Sequence, residues 1–144
     1  MSDCKNIEVL CATMHQNDFS KYYAMNILDC DVVFANQADA FSYQEMAVGP
    51  NSVKMLTTAT TGVGKNRNLA LAMASGEILL FADDDLTYET DMPRMISAGF
   101  RLFPDADMIV FGTRYTKNGN VYKCRKPKAG KLFFFRALRY GTCA

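Results

Sequence analysis

The sequence has no tryptophan and a single histidine, His15. One imidazole cannot build a multi-histidine metal centre, and no C-x-x-C pair is present to supply thiolate ligands instead. The five cysteines (Cys4, Cys11, Cys30, Cys124 and Cys143) are odd in number; free thiols in a reducing cytoplasm are the simplest expectation. No apolar run approaches the roughly 20 residues of a membrane-spanning helix, and the opening MSDCKNIEVL has no signal-peptide pattern. Acid is missing from everything after Asp107.

What remains is ordinary for a globular protein. The chain has 144 residues, 49% hydrophobic and 22% charged, enough for one domain over residues 1–144 with a single core. The net charge of +1 hides a segregation. Residues 1–107 carry 7 Lys/Arg against 15 Asp/Glu, a net −8, and residues 108–144 carry 9 Lys/Arg and no acid, a net +9.

Five apolar or β-branched runs suit buried strands: 7–13, 31–37, 53–59, 77–85 and 106–116. Helical segments fall between them. Residues 17–28 follow Asn17 or Asp18 as N-cap, residues 64–76 stop at Gly76, and residues 87–103 have Thr87 or Thr90 as cap with Pro93 in the first turn. Met73, Met92 and Met95 lie on helix faces and are expected to fill core gaps. Alternating strands and helices predict a mainly parallel α/β sheet with helices on both faces, with strands 7–13 and 78–83 adjacent at its centre. An Asn118-Gly119 turn predicts a hairpin after the fifth strand.

The fourth run ends in three aspartates, Asp83, Asp84 and Asp85. Two unit charges about 4 Å apart repel by roughly 4 kcal/mol near a protein surface, so a cation or dense polar contacts are expected there. In such sheets ligands bind beyond the carboxyl ends of the strands. If the strand stays extended, Asp83 and Asp85 share one side, and two carboxylates on one side suit Mg²⁺ or Mn²⁺. A solvated acidic loop is the alternative. Upstream, Lys65 and Arg67 open a helix, where cations oppose the macrodipole unless an anion binds there. The alternative is that both reach into water. A phosphate-binding P-loop is a poor match, because Asn66 stands where Ser/Thr should and Ala59 where the first glycine should. His15 follows the first strand and is the weak candidate for a catalytic base; a hydrogen-bonding loop histidine is the commoner role.

Three pieces in order resemble the family 2 glycosyltransferases, which have the Rossmann-like GT-A fold. They are IEVLCATMHQND, then TGVGKNRNLALAMASGEILLF with its Gly-x-x-x-x-Arg-Asn pattern, then ADDDLTY at the family's D-x-D position. The first piece departs from the usual Pro-Thr-Tyr-Asn, and the second strand ends NQAD where the family usually has acids. The resemblance implies a nucleotide-sugar donor, commonly a UDP-sugar, bridged to the aspartates by Mn²⁺ or Mg²⁺. It implies a saccharide or lipid-linked acceptor and, in the commonest setting, surface polysaccharide synthesis. Carried over residue by residue, Asp85 is the main metal ligand with Asp83, and Asp83 and Asp84 face ribose and nucleotide. Thr13 and its loop line the base pocket, with Asp39, Lys65 and Arg67 nearby. Inverting members use a carboxylate well downstream as base, and none follows Asp107 here. The resemblance therefore covers the nucleotide-binding half, with the C-terminal acceptor part missing, as in a fragment or a naturally short protein.

Two other classes of function remain open from the residues. One is a catalytically incomplete nucleotide-sugar binding module without the acceptor-side base. The other is docking at the inner membrane face through residues 123–140, KCRKPKAGKLFFFRALRY, which interleave bases with aromatics. Its alternative is a segment that packs its Phe residues and solvates its bases. No RNA-binding motif accompanies the tail, so nucleic acid is not an expected partner.

Overall fold

A computed structural model of the chain describes residues 6–117 and 120–125. The contacts divide the chain into two compact units, Met1–Pro104 and Asp105–Ala144. The first holds strands β1 (Ile7–Met14), β2 (Asp31–Gln37), β3 (Ser42–Val48), β4 (Asn51–Thr58) and β5 (Ile78–Asp83), with helices α1 (Ser20–Ala24), α2 (Val63–Ala72) and α3 (Met92–Leu102). The sheet order is β3-β4-β2-β1-β5, parallel except for β3.

The continuous apolar strands are buried because both faces of the sheet are covered. Alternate residues take opposite sides. Val9, Cys11, Val32, Phe34, Val53 and Met55 meet Tyr22 of α1 and Met92 and Ile96 of α3. Leu10, Val33 and Ala35 meet Ala70 of α2, with Leu69 and Met73 alongside. The α/β class with helices on both faces is as the sequence predicts.

Several local expectations are corrected. Helix α1 is one short turn rather than residues 17–28, because Asn26 adopts a left-handed φ of 57° and ends it. The N-cap position of α1 is Phe19, not Asn17 or Asp18, although the Asp18 carboxylate, one residue earlier, accepts the Ser20 N–H at 2.9 Å. The N-cap position of α3 is Asp91, not Thr87 or Thr90, with Pro93 in the first turn as expected. Met92 is buried and Met73 half-buried, but Met95 is exposed. Strands β1 and β5 are adjacent and β1 is interior, yet β5 ends the five-stranded sheet rather than lying at its centre.

The sheet also contains a strand that the hydrophobic runs did not reveal. β3 is an antiparallel edge, largely exposed, so it has no apolar run to betray it. Its turn was legible, since Gly49 with φ 59° followed by Pro50 closes a two-residue hairpin to β4. The expected fifth parallel strand over 106–116 is replaced in the second unit by the antiparallel pair β6 (Thr113–Lys117) and β7 (Asn120–Arg125). Residues 106–112 form no strand; a short apolar run does not by itself decide between strand and loop. The hairpin after it is present, while the Asn118-Gly119 turn itself and residues 126–144 of the basic, aromatic tail lie outside the described residues.

Gly76 has a different role from the expected helix stop. Helix α2 ends at Ala72, and Gly76 lies where the following loop crosses β1. Glu8, buried within the sheet, accepts the N–H groups of Ser75 at 2.5 Å and Gly76 at 2.7 Å. A Cβ at Gly76 would lie 2.7 Å from the Glu8 Cβ and 3.1 Å from its backbone N. Gly76→Ala should therefore lower unfolding free energy by about 1–3 kcal/mol, the usual range for overpacking, read as a lower urea midpoint. An unchanged midpoint would show that the loop gives way freely.

Candidate functional site

Parallel register aligns the carboxyl ends of four strands, β1, β2, β4 and β5. Ala12 pairs with Asp83, Thr13 with Asn36, and Asn36 with Thr57. At this edge the chain leaves β5 through a turn in which the Leu86 N–H donates to the Asp83 carbonyl at 3.3 Å. The strand therefore stops at Asp83. The extended alternation that would put Asp83 and Asp85 on one side ends there.

Each aspartate meets a different fate. The Asp83 carboxylate is paired with Arg67 of α2 at 2.6 Å. The Asp84 carboxylate accepts the Thr13 hydroxyl at 2.7 Å and lies 3.7 Å from the Lys21 ammonium of α1. The same ammonium donates to the Asp84 carbonyl at 3.0 Å. Among the described residues Asp85 is exposed and makes no hydrogen bond or ion pair. The expected cationic compensation is thus present, and most of it comes from the chain itself. Thr13 is buried and turned onto Asp84.

Of the remaining candidate residues, Asp39, Lys65 and His15 have no hydrogen bond or ion pair to the aspartates among the described residues. Asp39 lies two residues beyond β2 and is exposed. Lys65 is exposed in the first turn of α2. That turn has no side-chain cap; its N-cap residue is Gly62 at φ 108°, a conformation that favours glycine. The uncapped N–H groups there leave a partial positive charge open to an anion. The Nε of Arg67 is buried without a partner. His15 is exposed at φ 54°, held by its backbone N–H to the Gln37 carbonyl at 2.9 Å.

Two residues that carried no motif build the edge. Lys21 is one. Asn36, only 1% exposed, is the other. Its amide donates to the Gln16 carbonyl at 2.9 Å and the Thr57 hydroxyl at 3.0 Å, and its Oδ1 accepts the Gln16 N–H at 3.0 Å. This side chain, together with the His15 N–H bond to the Gln37 carbonyl, pins the loop after β1. The signal was available as a polar residue inside the otherwise apolar VVFANQ. Beneath the aspartates, the Cys11 thiol is pushed up to about 12 by burial and then by the negative Asp84 and Asp83. Burial likewise raises the Tyr88 hydroxyl.

A mainly parallel sheet covered by helices on both faces defines the open α/β class, in which ligands bind beyond the carboxyl ends of the strands. Within that class the chain belongs to a family described as "Glycosyl transferase family 2", whose model matches residues 27–143. The match starts after β1, so Thr13, His15 and Lys21 lie upstream of it. No curated protein and no solved structure matches the chain. The family acts on a nucleotide-sugar donor and an acceptor. Among the described residues no helix is long and apolar enough to cross a membrane.

Two measurements probe the frame of this edge. Asn36→Ala leaves the Gln16 backbone groups without their partner and should cost about 1–3 kcal/mol, with faster amide exchange at Gln16. Equal exchange would show the loop to be held by other contacts. The second concerns alkaline stability. Between pH 9 and about 12 the unfolded chain loses the Cys11 proton and the folded chain keeps it, so stability falls as pH rises through that window. Cys11→Ala should flatten the decline between pH 9 and 10 by up to one proton's worth, about 1.4 kcal/mol per pH unit, relative to the wild type. An identical slope in the variant would refute this.

Proposed function

We propose that the chain transfers a sugar from a UDP-sugar to the hydroxyl of a saccharide or lipid-linked acceptor, with Mn²⁺ or Mg²⁺, in surface polysaccharide synthesis. The observation that carries the donor site is Asp85. It is the one member of the aspartate cluster left open, beside an uncapped, glycine-opened helix that carries Lys65 and Arg67. The acidic and cationic halves of this edge suit the two halves of a metal-diphosphate ligand.

The donor set fits such an ion. Among the described residues no group of three or more His, Cys, Asp and Glu is arranged to hold a metal. Mg²⁺ commonly takes only one or two carboxylates and completes its shell with substrate phosphate and water. Asp85 would hold it, with Asp83 as a second ligand once Arg67 moves onto phosphate. The ion would supply charge neutralisation to the departing diphosphate. Lys65, Arg67 and the α2 N–H groups would hold the phosphate oxygens. Asp84 would orient the ribose from its Thr13 hydrogen bond, and Asp39 would face the base.

Calorimetry tests this directly. UDP should bind in Mn²⁺ or Mg²⁺ and lose most of its affinity with chelator or in Asp85→Ala. Equal affinity under all three conditions would remove the metal from the donor site. A transfer assay with UDP-sugars and varied acceptors separates an enzyme from a module that only binds donor.

A further inference from the structure

Of the three adjacent carboxylates, two are already engaged by cations of the chain itself. The Asp84 carboxylate accepts the Thr13 hydroxyl and lies 3.7 Å from the Lys21 ammonium, which donates its hydrogen bond to the Asp84 carbonyl. Lys21 reaches this point across 63 residues of sequence from a helix of five residues. Its side chain is only 31% exposed, although a surface lysine is normally extended into water. The span matched by the family excludes it.

We propose that Lys21 is a positioning residue that guards Asp84 against the metal, so that an ion is retained at this edge only while a diphosphate shares it. This rests on the donor-site reading above. The physical reason is charge. With Lys21 beside Asp84 and Arg67 on Asp83, Asp85 is the one carboxylate of the three that has no cationic partner among the described residues. One carboxylate in water is a weak ligand, and substrate phosphate must complete the shell. Removing Lys21 frees a second carboxylate beside Asp85 and removes a repelling positive charge. The ion then gains affinity without nucleotide, and the mutual dependence of ion and diphosphate declines. With Lys21 in place, loss of the diphosphate leaves a single carboxylate to hold the ion.

A purely structural tether between α1 and the end of β5 predicts the opposite sign. Breaking a tether loosens the edge, and metal binding weakens with and without nucleotide. The test is Mn²⁺ titration of the full chain by electron paramagnetic resonance, alone and with saturating UDP, for wild type, Lys21→Met and Lys21→Arg. Lys21→Met should bind Mn²⁺ alone roughly three- to tenfold more tightly, as expected for removing one unit charge several ångströms from the ion in high dielectric. The enhancement of Mn²⁺ affinity by UDP should fall by the same factor, and Lys21→Arg should restore both. Unchanged or weaker binding of Mn²⁺ alone in a folded Lys21→Met overturns the proposal; Lys21→Gln replaces it if its circular dichroism shows misfolding. If UDP leaves Mn²⁺ affinity unchanged in the wild type, the donor reading fails. The Mn²⁺-alone arm still decides the role of Lys21.

Discussion

The end of β5 depends on cations arriving from both sides of the sheet. Three aspartates in sequence repel one another, and a turn alone does not relieve that. Arg67 comes from α2, which packs on one face, and Lys21 from α1, which packs on the other. Each pair is partly solvated, so neither adds much to overall stability. Their effect is local. They fix which carboxylates are engaged and leave Asp85 open, and the uncapped start of α2 keeps its N–H groups beside them.

Two buried polar side chains serve the frame that makes this placement repeatable. Near the amino end of β1, Glu8 gathers the loop between α2 and β5 by accepting two backbone N–H groups. At the carboxyl end, Asn36 gathers the loop after β1 with two hydrogen bonds to Gln16 and ties it to β4 with a third, to Thr57. A buried polar group is expensive unless partnered, and both sit where loop backbone can provide the partners. Asn36 is satisfied through both ends of its amide. Glu8 leaves one oxygen, Oε1, buried without a partner, a cost accepted for holding the loop against the strand. Errors of register in β1 would break both contacts at once, so the two residues also mark its alignment with β2 and β5.

The family match covers only part of the residues gathered at this edge. The matched span begins at Ile27 and includes Asp39, Lys65, Arg67 and the aspartates. The first strand and α1 lie before it, and they supply Thr13 and Lys21. The three aspartates thus lie within the matched span, while the two groups that restrain Asp84 come from a segment outside it.

By itself the sequence determined the class of fold, because continuous apolar strands alternating with helices can bury both faces only in a covered parallel sheet. It also located the acidic edge and the basic helix start, since both are contiguous in the chain. It overran α1 and missed β3, because a left-handed asparagine and an exposed edge strand leave little mark on hydrophobic pattern. The tertiary structure alone decided which aspartates are engaged. Their partners lie 16 and 63 residues away, and only the packing of α1 and α2 on opposite faces brings those charges within reach. Electrostatic pairing acts through distance in space, and the chain order carries no direct record of it.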